Sequence, residues 1–308
     1  MRFPTIPRIA SAAALVTLFA LPAAAWGPDG HEWINLIAAQ NLPSDVPAFV
    51  RDTNGLNVIE YIGPEPDRWR NKAEGELNDT QAADHFILLP LADRVGPLPK
   101  MRYDFLRELS QLQAAHPNEK LTAEAVGMNP WQTEEIWQRL KVDFREYRAL
   151  KAAHKNTAGV EVAILFDAGW LGHYVGDGSQ PMHSSLQYAG WVGPNPNGYT
   201  TSHKIHWQFE NDFVIAAANK QQVSKLVAQA KPQLIGDEWT QYLAYLRSNS
   251  AKAEQIYKFE KSGALQGKGT ADSRAFVDQC LATGAIELRN MIYTAWVRSA
   301  DPVEGFKG

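Results

Sequence analysis

Apolar residues recur at helical spacing over most of this chain. Residues 276–297 carry Val277, Leu281, Ala285, Leu288, Ile292 and Trp296 about every 3.6 residues, with Ile286 widening the stripe. That pattern predicts a helix with one face in a core. Residues 160–175, VEVAILFDAGWLGHYV, are apolar nearly all round, which predicts a helix enclosed by others. Amphipathic stretches at 31–40, 103–115, 134–150, 205–219 and 239–247 predict further helices, and strand-like alternation is scarce. No repeat, low-complexity tract or Pro/Gly linker divides the chain. The expected fold is all-α: a single compact multi-helix domain.

The first 25 residues break this pattern. Arg2 and Arg8 are the only charges before Asp29, residues 9–21 are almost wholly apolar, and Ala23, Ala24 and Ala25 supply small side chains. The combination predicts a signal peptide over 1–25, cleaved before Trp26, with the functional domain over 26–308. An uncleaved anchor is the competing reading. Cleavage implies a secreted or periplasmic protein with no transmembrane segment left, and a formal charge moving from −4 to −6 as Arg2 and Arg8 depart.

Composition narrows the classes. With 45% hydrophobic residues, ten Trp, twelve Phe and ten Tyr in 308 residues, intrinsic disorder is excluded. A single cysteine, Cys280, excludes a disulfide scaffold. The acidic balance argues against a protein that coats nucleic acid through a basic face, though not against a metal enzyme acting on phosphates. Neither GxGxxG nor CxxCH occurs, which removes the nucleotide and haem motifs, and no obligate protein partner is evident.

The histidines and carboxylates carry the chemistry. His173 and Asp177 stand four residues apart on the most apolar helix and so share a face. His183 follows after a turn closed by Pro181, and His206 and Glu210 repeat the four-residue spacing. Asp67 lies in PEPDRW and His85 in DHF. Taken singly, either pair fits a surface ion pair or a satisfied core histidine equally well. Together they need a reason, because burying unpaired charge costs several kcal/mol. Imidazole and carboxylate at helical spacing suit zinc, and helix bundles build metal sites from such residues on facing helices.

The order Trp26-(x4)-His31, Asp67, His85, His173-(x3)-Asp177-(x5)-His183, His206-(x3)-Glu210 resembles the trinuclear zinc superfamily. That superfamily holds the single-strand-specific nucleases of mung bean type and the bacterial zinc-dependent phospholipases C. The resemblance implies a trinuclear zinc site with long active-site loops. Asp67, His85, His173 and Asp177 would hold one zinc ion. The amine and carbonyl of Trp26, His31 and a shared Asp177 would hold a second, and His183, His206 and Glu210 a third. Only cleavage before Trp26 would create that amine. The paired ions, roughly 3–4 Å apart, would activate a hydroxide to attack phosphorus in line. Three Zn²⁺ ions against three carboxylates and one hydroxide leave the site net positive. Asp177 and Arg70 would be catalytic, Arg70 steadying the phosphorane oxygens, with Arg68 a competing candidate. Phe86 would bind substrate by stacking a base, or else pack beneath the metals.

Two branches compete. The Trp26–His31 spacing, the string GDGSQPMH with Gln180, and Arg70 resemble the nucleases, predicting an endonuclease with single-stranded DNA or RNA as substrate. Glu210, Leu88 where the nucleases carry a base-reading aspartate, and the absence of GGND favour the alternative, a phospholipase C acting on phospholipid head groups. A catalytically inactive zinc-binding protein is the third reading. Residues 187–202 form a long Gly/Pro/Asn-rich stretch with Tyr188, Trp191 and Tyr199, which would touch bases, touch lipid, or merely pin the loop. His203 competes with His206 as a ligand, while His116 and His154 read as surface residues.

Overall fold

The computed structural model describes residues 26–303, so the signal-peptide reading of residues 1–25 lies outside the described residues. Among the described residues the fold is all-α, with two isolated bridge contacts and no strand. The longer helices are α1 (Gly27–Gln40), α2 (Thr53–Ile62), α3 (Arg102–Ala115), α4 (Asn129–Ala152), α5 (Ala158–Ser179), α6 (Lys220–Gln229), α7 (Glu238–Ser250), α8 (Ala253–Lys261) and α9 (Ala271–Arg298). Several start before the apolar stripe that predicts them, because their capping signals are polar. Asp237 accepts the Thr240 amide at 2.7 Å, and Thr270 and Ser273 form a capping box at the start of α9. Pro28 and Pro130 occupy first turns, where a missing N–H costs nothing.

Helix α5 runs through the middle, packed by α1, α2, α4, α7 and α9. Its all-round apolar character is explained by that enclosure: Ile164, Ala168, Leu171, Tyr174 and Val175 are all buried. Glycine sets how closely its neighbours approach. A Cβ on Gly172 would lie 1.9 Å from Asn35 Oδ1 of α1, so any larger residue would push α1 away. Asn35 fixes this contact by donating to the Ile59 and Gly169 carbonyls, both at 2.8 Å, and so ties α1, α2 and α5 together.

The segment 205–219 departs from the single helix its periodicity predicts. A short α-turn, Lys204–Trp207, passes into a π-helical stretch, Gln208–Phe213, and then into Val214–Ala217. The wider turn lets Phe209, Phe213 and Val214 reach the core while Glu210 is also fully buried. No helix among the described residues is long and apolar enough to cross a membrane.

Candidate metal centre

Asp177 lies in the last turn of α5, and its carboxylate is fully buried. Burial, then the nearby Asp67 and Glu210 carboxylates, push its pKa well above the carboxylate range, against a lowering pull from Arg70. His173, one turn earlier, faces the same point. Burial and the flanking His31 and His85 hold its pKa well below the usual imidazole value, so it is a neutral donor. His31 on α1 stacks on His173 with ring centroids 4.1 Å apart. The helical turn Glu65–Trp69 supplies Asp67, and the 3-10 turn Ala83–His85 supplies His85.

Three groups result: His31, His173 and Asp177; Asp67, His85 and His173; His183, His206 and Glu210. The ligating atoms within each lie within 4.8 Å of one another. Separations include His173 Nε2–Asp177 Oδ2 at 3.4 Å, His31 Nε2–Asp177 Oδ1 at 3.6 Å and His85 Nε2–Asp67 Oδ1 at 3.5 Å. In the third group His183 Nε2 lies 3.2 Å from His206 Nε2, and His206 Nε2 lies 2.8 Å from Glu210 Oε2. Ligands about 2.0–2.1 Å from a tetrahedral zinc sit about 3.3 Å from each other, so most of these spacings match the edges of a coordination polyhedron. His173 falls in two groups and Asp177 in one, where the resemblance implies one zinc for His173 and two for Asp177.

The unmet hydrogen-bonding capacity points the same way. His85 Nε2, His173 Nε2, both carboxylate oxygens of Asp67 and Asp177, and Glu210 Oε1 are buried and make no hydrogen bond. Groups like these normally find partners, and leaving them bare costs several kcal/mol in total. Meanwhile the other ring nitrogens are engaged by backbone carbonyls. Nδ1 of His85 faces Gln81 O at 2.7 Å, that of His173 faces Gly63 O at 2.8 Å, that of His183 faces His85 O at 2.9 Å, and that of His206 faces Tyr188 O at 2.6 Å. A carbonyl accepts, so each Nδ1 carries a proton; Nε2 of His85 and His173 is then left to present its lone pair inward, while Nε2 of His206 faces Glu210 Oε2 at 2.8 Å. That is the tautomer a metal-binding imidazole needs. The residues present fit a cluster of divalent cations.

Trp26 is fully buried. Its indole donates to Gly176 O at 2.8 Å and Ser179 Oγ at 2.9 Å, fastening the start of α1 beside Asp177. Its φ of 50° lies in the left-handed region, uncommon for a bulky residue.

A cavity of about 660 Å³ opens onto the centre, lined by Arg70, His85, Phe86, Lys120, Tyr188 and His206 among others. Arg70 borders it, whereas Arg68 turns outward to Glu65 at 2.5 Å and stacks on Tyr61. Phe86 is half-buried on the cavity wall. Leu88 is buried in the core, its amide bonded to Val126 O at 2.7 Å, and is absent from the lining. His203, His116 and His154 are exposed and outside the three groups.

No family model matches this sequence, and no curated protein does either. Among solved structures, the alpha toxin from Clostridium absonum overlaps with a TM-score of 0.47 at 14% identity, covering 90% of this chain and 67% of its own.

Some residues at the centre escape sequence reasoning. Gln180 marks the GDGSQPMH resemblance but has no role assigned by it; its Nε2 donates to Glu210 Oε2 at 3.1 Å and its Oε1 accepts the Met182 amide at 2.7 Å. It therefore caps the 3-10 turn Pro181–Ser184 that carries His183 while orienting Glu210. Lys120, Thr122 and Glu124 line the cavity from the short Ala123–Val126 helix and the residues before it, without any motif to mark them. Within 187–202, Trp191 and Tyr199 pack on Tyr257, and only Tyr188 reaches the cavity.

Proposed function

We propose that this chain is an exported zinc-dependent phosphodiesterase, holding three zinc ions and hydrolysing single-stranded nucleic acid. The observation that carries the reading is the convergence of buried, hydrogen-bond-free Nε2 and carboxylate oxygens, spaced as coordination edges, beneath an open cavity. The proposed ligands are Trp26, His31, Asp67, His85, His173, Asp177, His183, His206 and Glu210, with Asp177 shared between two ions. Zinc bound there would supply Lewis acidity and a water of lowered pKa.

The chain's own groups set the rest. Arg70, at the cavity edge, presents a planar fork suited to phosphate oxygens as negative charge builds on them. Phe86 and Tyr188 offer π-faces for bases, and Lys120 offers a second cation for a flanking phosphate. The backbone carbonyls on the four Nδ1 atoms keep the imidazoles in one tautomer throughout. The cavity's access to His85, His183 and His206 supports an open site and speaks against an inactive, closed one.

Phospholipid is the second reading, favoured by the burial of Leu88, which leaves no carboxylate at that position for a base edge, and by glutamate at 210. The test uses mature protein beginning at Trp26: zinc per chain, with hydrolysis of single-stranded DNA, RNA and phosphatidylcholine measured side by side. About three zinc ions with nucleic-acid cleavage is the expected result. Cleavage of lipid alone would move the assignment to the phospholipases, and no bound zinc would end both readings.

A further inference from the structure

The stretch 187–202 is tied down at its start by one residue of a distant helix. Tyr257 of α8 is fully buried, and its Oη donates to Gln187 O at 2.6 Å while accepting the Gly190 amide at 3.1 Å. Both ends of the turn 187–190 therefore hang on a single hydroxyl. The Gln187 side chain closes the same turn, accepting the Val192 amide at 2.7 Å and donating to Val192 O at 3.1 Å. Gly190 has φ +99°, and a Cβ there would lie 2.4 Å from Thr201 O, so the backbone admits no other residue without moving.

The turn faces two ways at Tyr188. Its carbonyl accepts from His206 Nδ1 at 2.6 Å. Its ring meets the His206 ring edge-on at 6.5 Å, stays 47% exposed, and lines the same cavity as Phe86 and Arg70. Trp191 and Tyr199 share the stretch but are spent on packing against Tyr257, and Tyr199 Oη donates to Glu254 of α8 at 2.8 Å.

We propose that the turn 187–190 couples the third metal group to the substrate cavity. The Tyr188 main chain orients His206, the Tyr188 ring is a second stacking surface for substrate, and Tyr257 is the positioning residue that holds both. The proposal rests on the zinc phosphodiesterase reading, and the Tyr257 variant distinguishes the two because zinc binding is measured without substrate.

In full mature protein, Tyr257→Phe keeps the ring and removes both hydrogen bonds to the turn. Zinc titration against a competing chelator is expected to show one of the bound ions held roughly 10–100-fold more weakly. The metal-free protein should melt a few degrees lower, because the Gln187 carbonyl and the Gly190 amide lose their partner, and the zinc effect should vanish in a His206→Ala background. Tyr188→Ala keeps the carbonyl, so zinc affinity should be unchanged. KM for a single-stranded oligonucleotide should rise roughly 5- to 100-fold, with kcat changing less. Wild-type zinc affinity in Tyr257→Phe, or an equal loss persisting without His206, would overturn the positioning role. Zinc loss in Tyr188→Ala, or an unchanged KM, would overturn the stacking role. Wild-type protein that binds zinc but spares nucleic acid would defeat the substrate reading and the stacking role together, while the Tyr257 arm would still decide the positioning role.

Discussion

His183 Nδ1 lies 2.9 Å from the carbonyl oxygen of His85, and the Ile87 amide returns a hydrogen bond to His183 O at 2.9 Å. Two candidate ligands 98 residues apart in sequence thus hold each other in register. Through this pair the segment carrying His85 is locked to the turn carrying His183, and the group of Asp67, His85 and His173 to that of His183, His206 and Glu210. The centre behaves as one unit.

Metal removal should loosen the whole fold. The proposed ligands come from segments spread between Trp26 and Glu210, and binding energy at such a site is folding energy. Zinc-free protein is expected to melt several degrees lower, read by thermal denaturation with and without chelator. An identical melting temperature would contradict a structural contribution from the cluster.

Asp177→Asn removes the carboxylate that faces both His31 at 3.6 Å and His173 at 3.4 Å. Activity should fall by more than about 100-fold, because even residues behind the ligands cost 10–100-fold. Zinc per chain should fall as well. Full zinc content in this variant would show that Asp177 is not a shared ligand.

Arg70→Ala should separate chemistry from metal binding. A loss of roughly 100- to 1,000-fold in kcat/KM is expected for a group aimed at developing negative charge, with zinc content unchanged. Zinc analysis alongside kinetics decides this: if the metal leaves too, Arg70 is a structural support.

The N-terminus offers a test of Trp26 that leaves every side chain intact. Protein carrying Gly-Ser ahead of Trp26 has no amine at that residue and should bind one zinc fewer than protein starting at Trp26. Equal metal content by elemental analysis would exclude the amine as a ligand.

Two acids away from the metal groups predict how stability varies with pH. Burial, then the hydrogen-bonded Asp143 neighbour, raises Asp167 to about 7, and burial raises Glu287 to about 7. In the unfolded chain both would titrate near the ordinary carboxylate values, so between roughly pH 4 and 7 the folded state holds the extra protons. Their contribution is complete at low pH and is lost as pH rises through about 7. Asp167→Asn and Glu287→Gln should each flatten the decline in melting temperature across that window and melt higher than wild type at pH 8. An unaltered slope in both variants would refute the assignment.

Much of the helical architecture is legible in the sequence, because burial imposes a period on side chains and the period survives without coordinates. The stripe at 276–297 and the apolar run at 160–175 reappear inside α9 and α5. The segment 205–219 is where periodicity misleads. A π-helical turn buries the same kinds of residue as an α-helix and differs only in where the extra residue is absorbed.

The chemistry divides along a similar line. The sequence by itself determined which imidazoles and carboxylates exist and which pairs share a helix face, as His173 and Asp177 do, since helical spacing is local geometry. It favoured Arg70 over Arg68 and His206 over His203, but left open which of them border one cavity and which aromatics of 187–202 are packed or exposed. Only the tertiary structure decided those. It turned Arg68 onto Tyr61, left His203 in solvent, and spent Trp191 and Tyr199 on Tyr257. It also decided the tautomer of four histidines, because the acceptors on their Nδ1 atoms are the carbonyls of Gln81, Gly63, His85 and Tyr188. Backbone oxygens are the same in every residue, so they leave no trace in a sequence until folding brings them within 3 Å of a ring.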